Sequence, residues 1–176
     1  VKDVLWASKQ MWAPDAAEKD GKFYLFFPAK DQEGIFRIGV AVSTDPAGPF
    51  VPQPAAIKGS FSIDPAVFKD NDGSYYMYFG GIWGGQLQRW RNGIFNALQP
   101  ESPVAHLPEA NEPALCAKIA KLTDDLLEFA EIPKDVLILD ENGKSLLQGD
   151  TERRFFEASW LHKHKGKYYF SYSTGD

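Results

Sequence analysis

The chain has 176 residues, 44% hydrophobic and 24% charged, a balance that supports a folded core and excludes disorder as its main state. A net charge of -5 supplies no basic field for a phosphate backbone, so nucleic acid is not an expected partner and a neutral ligand fits better. No apolar run approaches the roughly 18 residues of a membrane helix, and the single cysteine, Cys116, excludes an intrachain disulfide or a cysteine-cluster metal site.

Aromatic residues make up 14% of the chain, which favours strands over an aliphatic helical bundle. Asp3, the only acid in Val1 to Gln10, reads as linker, and no secretory signal pattern is in view, so the compartment stays open; a periplasmic or secreted location is compatible. Asp20-Gly21-Lys22-Phe23-Tyr24 then opens an aromatic strand after a polar turn, the pattern of a β-hairpin. The same pattern returns at Asp72-Gly73-Ser74-Tyr75-Tyr76 and at Lys165-Gly166-Lys167-Tyr168-Tyr169. A second unit also recurs. Ala41 to Asp45 with Phe50 matches Ala120 to Asp124 with Phe129 in spacing, and reads as strand, turn and further strand. Pro113 to Glu131 contains good helix formers, but the match to the proline- and glycine-bearing 41 to 50 segment favours strand and turn there.

Each module thus holds a hairpin, a third strand, a turn and a fourth strand, the content of one propeller blade. The expected division is 1–59 for the first visible blade, 60–148 for the second and 149–176 for the start of a third. A long insertion at 80–112, rich in Gly, Trp, Arg and Asn, lies within the second.

Nine residues before the turn glycine stand Trp12, Asp64 and Glu157 in the three modules. The first strand of each propeller blade lines the central axis, so these equivalent positions are expected to converge on one pocket. Asp64 and Glu157 each sit in an otherwise apolar strand, where a charge costs free energy unless it is paired or used. A turn role for Asp64 and a solvated role for Glu157 is the structural alternative. Two acids at one repeat position favour function.

Trp12-Ala13-Pro14-Asp15, Ser62-Ile63-Asp64-Pro65 and Phe156-Glu157-Ala158-Ser159-Trp160, each followed by a glycine-aromatic hairpin, resemble glycoside hydrolase family 43 over nearly the whole chain. The resemblance implies an all-β fold, a partial five-bladed β-propeller with about two complete blades plus the start of another. It implies inverting hydrolysis of xylosidic or arabinofuranosidic bonds in plant hemicellulose, with an oligosaccharide or polysaccharide as partner and no cofactor. Glu157 then corresponds to the general acid and Asp64 to the residue that orients it and modulates its pKa. The family's first-blade aspartate, the general base, has no counterpart here. The chain therefore reads as blades two and three and the start of blade four, inactive by itself, with self-association expected through exposed blade edges.

Among other candidates, Trp12, Trp83 and Trp90 are expected to stack on sugar rings, core packing being the alternative for each. Gln86, Gln88, Arg89, Arg91 and Asn92 give the insertion hydrogen-bonding reach, or a solvated surface. His162 and His164 alternate on one strand face beside lysines with no third ligand apparent, so no metal site is expected. An invertase or fructosidase-type propeller is the second reading, disfavoured by Ile63 before Asp64 and Ala158 after Glu157, where those enzymes typically carry Arg and Cys. A non-catalytic sugar-binding propeller is the third, and it would need neither acid.

Overall fold

Side chains alternate across a strand, and in the first aromatic run both faces are apolar: Tyr24 and Phe26 point one way, Phe27 and Ala29 the other. A strand buried on both faces demands partners on both sides. In the computed structural model, which describes residues 2–97 and 105–175, it becomes the centre of the first of three antiparallel sheets. That sheet comprises β1 (Ala7–Lys9), β2 (Asp15–Lys19), β3 (Lys22–Asp31), β4 (Phe36–Ser43) and β5 (Val51–Pro52), in the order β1-β3-β4-β5 with β2 also paired to β3. The second runs in sequence order through β6 (Ala66–Lys69), β7 (Tyr75–Phe79), β8 (Lys118–Lys121) and β9 (Lys134–Asp135). The third contains β10 (Glu157–His164) and β11 (Lys167–Ser173).

All three aromatic hairpins form. Asp20 and Gly21 both take positive φ, as do Lys165 and Gly166, which gives the tight two-residue turns whose twist suits paired strands. The β6–β7 connection is longer and only Gly73 adopts the left-handed conformation. The 117 to 129 stretch is strand and turn. Thr123 and Asp125 side chains accept the Glu128 and Leu127 N–H groups, closing a local turn where a helix would have needed those donors for its own ladder. Ala7 and Lys9 pair with the far end of β3 as an added strand.

The sheets stack in chain order. Tyr24, Phe26, Ile38 and Val40 of the first meet Tyr75, Met77, Phe79, Leu122 and Leu126 of the second in one buried cluster with Ile57. A separate cluster, Ile82, Leu87, Ala117 and Phe155, is completed by Phe170 and Tyr172 from the third sheet. Val4, Ala7, Phe27, Ala29 and Ala41 cover the outer face of the first. The leading strands of the three sheets, β2, β6 and β10, lie side by side. Backbone-to-carboxylate bonds cross between them: Val67 N–H donates to Asp15 Oδ2 at 2.6 Å and Ala158 N–H to Asp64 Oδ2 at 3.0 Å.

The insertion is folded where it is described. Trp83–Gly85 and Leu87–Trp90 form two short 3-10 turns that bury Leu87 and Gln88. Its stretch 98–104 lies outside the described residues.

Candidate active site

Trp12 occupies the break between β1 and β2, where its N–H donates to Pro28 O at 3.0 Å. Its ring packs on Phe36 at a centroid distance of 4.7 Å and leaves 37% of the residue exposed. Asp64 precedes β6, between buried Ile63 and Pro65. Glu157 is the first residue of β10, opposite Ser173. Ser62, Asp64 and Ala158 all adopt left-handed φ, 63°, 54° and 58°, a conformation costing each of these non-glycine residues on the order of 1 kcal/mol or more. Strain of this kind, gathered at the two acids, re-aims the chain just where each leading strand begins.

These side chains converge. Trp12, Ala13, Ile63, Asp64, Ile82, Trp83, Gly84, Gly85, Phe156 and Glu157 line a cavity of about 570 Å³. Its walls are mostly apolar, and both carboxyls are half-buried in it. Burial raises the Glu157 pKa above the ordinary glutamate range, and the negative charge of Asp64 raises it further. The sequence suggested the Asp64 charge as the cause, whereas desolvation is the larger one. Burial also raises the Asp64 pKa, opposed by the hydrogen bond from Ala158 N–H. For Glu157 both causes act in the same direction, upward.

Trp83 enters the same wall, edge-on to Phe156 at 5.5 Å. Trp90 does not. It stacks on Phe61 at 4.7 Å under the Arg37 guanidinium, in a different and larger cavity of about 900 Å³. In that cavity Glu128 accepts the Lys58 N–H and Glu131 is paired with Lys134. Four of the five polar candidates of the insertion make bonds that hold it, and Asn92 is exposed. Gln86 bonds Phe36 N–H and Gly34 O, Gln88 donates to Trp83 O, Arg89 to Asn96 O, and Arg91 pairs with Glu112. His162 stacks on Tyr169 at 5.2 Å. Ile63, Phe156 and the glycines of the 80 to 85 turn were not expected from the sequence to line the cavity. The Gly80-Gly81 and Gly84-Gly85 doublets were the available signal, since paired glycines beside a strand mark close backbone approach.

A family model described as glycosyl hydrolases family 43 matches residues 2–104. The chain belongs to glycosyl hydrolase family 43. A xylosidase/arabinosidase of Bacteroides ovatus is 61% identical over 176 residues, covering 100% of this chain and 52% of that protein. Xylosidase/arabinosidase 43A of Humicola insolens is 60% identical over 181 residues, covering 100% of this chain and 54% of that protein. Among solved structures, a family 43 β-xylosidase/α-arabinofuranosidase from a compost microbial metagenome, in complex with xylotriose, superposes with a TM-score of 0.93 at 60% identity. The match covers 99% of this chain and 52% of that one. A family 43 enzyme of Xanthomonas citri complexed with xylotriose gives a TM-score of 0.92 at 52% identity, over 99% of this chain and 51% of that one. The chain spans about half the length of the curated relatives it matches. The stacked sheets are accordingly part of a family 43 β-propeller, and the match selects this family over the fructosidase alternative.

Proposed function

We propose that this family 43 chain carries the acid side of an inverting glycosidase site, acting on xylosidic or arabinofuranosidic bonds of hemicellulose oligosaccharides. The observation that carries the reading is the pair Asp64 and Glu157 in one apolar cavity, with Glu157 raised in pKa and Asp64 anchored by a backbone N–H. A protonated Glu157 donates to the departing glycosidic oxygen as the bond to the anomeric carbon breaks. Asp64, held by Ala158 N–H, supports the protonated form of Glu157 through its charge and fixes the approach of the β10 strand. Trp12 and Trp83 supply apolar surface against which a sugar ring can lie. The base that activates water on the opposite face of the sugar is assigned outside these residues, because neither Asp15 nor Asp3 lines the cavity. In this reading 1–59, 60–148 and 149–176 are two blades and the start of a third. Homologues with xylotriose bound support the oligosaccharide class.

In the intact gene product, Glu157→Gln should abolish cleavage of substrates with poor leaving groups. Aryl glycosides with good leaving groups, whose oxygen needs little protonation, should lose much less, and steady-state kinetics across a leaving-group series reads the difference. Asp64→Asn should depress both more evenly. The 176-residue chain alone should turn over neither aryl xylosides nor aryl arabinofuranosides. Turnover that vanished in Glu157→Gln would place the base within these residues.

A further inference from the structure

Between the two acids runs the turn Gly80 to Gly85, and it is bonded to both sides. Gly80 N–H donates to Ile63 O at 2.7 Å, next to Asp64, and Ile82 N–H donates to Phe156 O at 3.0 Å, next to Glu157. At the base of this turn Ser62 is fully buried. Its Oγ accepts the Gly81 N–H at 3.0 Å and donates to Gly85 O at 2.7 Å, so one hydroxyl ties the beginning of the turn to its end. The fit is tight. A Cβ added at Gly81 would lie 2.7 Å from Ile63 Cδ1 and 3.2 Å from Glu157 Cβ, and one at Gly85 would lie 2.8 Å from Ile63 Cδ1. The backbone of the turn thus fills the space between the strand leading to Asp64 and the strand leading to Glu157.

We propose that Ser62 is a positioning residue whose hydroxyl closes the Gly80–Gly85 turn into a rigid spacer and thereby sets the gap between the Asp64 and Glu157 carboxyls. The placement of the spacer stands on the geometry alone, while its consequence for turnover rests on the proposed role of Glu157. Removing the hydroxyl leaves Gly81 N–H and Gly85 O without their shared partner, and the turn is then closed only by its backbone bonds, Gly85 N–H to Ile82 O at 3.2 Å and Leu87 N–H to Gly81 O at 3.0 Å. Loosening admits water and moves the two carboxyls apart. Both effects weaken the forces that hold the proton on Glu157.

Ser62→Ala removes the hydroxyl with little change in volume. Ser62→Gly removes it too and suits the left-handed φ of 63° better than any other residue, so it keeps the test open if the alanine variant folds poorly. The Glu157 carboxyl is followed by carbon-13 NMR titration in the intact gene product, alongside the pH profile of kcat/KM on an aryl glycoside and kcat on a poor-leaving-group substrate. In both variants the Glu157 titration is expected to move down by about half a pH unit or more, and the alkaline limb of activity to move down with it. For the poor-leaving-group substrate kcat should fall roughly 10- to 100-fold with KM little changed. An unshifted Glu157 titration in a folded variant overturns the proposal, as does loss of the folded state in both variants, which would give the hydroxyl a purely stabilising role. A shifted titration with an unmoved alkaline limb leaves the spacer standing and instead removes Glu157 from the role of general acid.

Discussion

Glu157 and Asp70 are carboxylates with opposite histories on folding. Glu157 gains a proton affinity above the ordinary value of 4.5, because burial and the Asp64 charge disfavour its ionised form. A group whose folded pKa is raised contributes its stability below the unfolded pKa and loses it as pH rises through the folded value. Glu157→Gln should therefore raise the melting temperature at pH 7 and leave it unchanged near pH 4, measured by calorimetry at both. Asp70 is lowered to about 2, first by the Tyr168 hydroxyl, which donates to Oδ2 at 2.6 Å, and then by Lys163, whose Nζ donates to Oδ1 at 2.9 Å. Its contribution is present above the ordinary value of 3.8 and is lost as pH falls toward 2. Asp70→Asn is expected to destabilise at pH 6 and to match the unaltered chain near pH 2. The Asp70 group fastens the β6–β7 turn to the β10–β11 hairpin, so its loss is felt between sheets.

Strands of this chain are held by what lies across them more than by propensity. Phe79, at the end of β7, is fully buried, with Phe129 stacked on it at 5.6 Å and Phe61 edge-on at 5.3 Å. Phe79→Ala removes a ring from the cluster between the first two sheets and should cost about 3–5 kcal/mol in urea unfolding. Leu139→Ala, at a residue 49% exposed, should stay within about 0.5 kcal/mol. The contrast measures inter-sheet packing directly. The same packing explains why helix-forming residues at 117 to 121 run as a strand: Lys118 to Lys121 pair with β7 from Phe79 to Tyr76, and Ala120 is wholly buried.

At the scale of the molecule, the third sheet has two strands and β11 pairs only with β10 among the described residues. Trp160, Tyr168 and Tyr169 on this sheet are 52%, 51% and 43% exposed. An unpaired aromatic strand edge is a template for a further strand. The isolated chain is expected to associate as its concentration rises, read by sedimentation velocity, and Tyr169→Lys should weaken that association. A monomer at all concentrations would count against an open edge.

Much of this was legible beforehand, and for a physical reason. Repeats, turn glycines and alternating aromatics are local signals, so three hairpins and the shared position of Trp12, Asp64 and Glu157 followed from the sequence by itself. The strand formed by Ala7 to Lys9 was not legible, because its pairing partner lies more than twenty residues away and its own pattern is weak. Nor was the fate of the tryptophans. Trp83 and Trp90 are seven residues apart in one insertion, yet two consecutive tight turns send one to the carboxylate cavity and the other beneath Arg37. The sequence by itself determined the three aromatic hairpins and the candidate acids. Only the tertiary structure decided which side chains share their cavity, that burial outweighs the Asp64 charge in raising the Glu157 pKa, and that Ser62 ties the turn between them, because desolvation and close backbone approach exist only once the sheets are stacked.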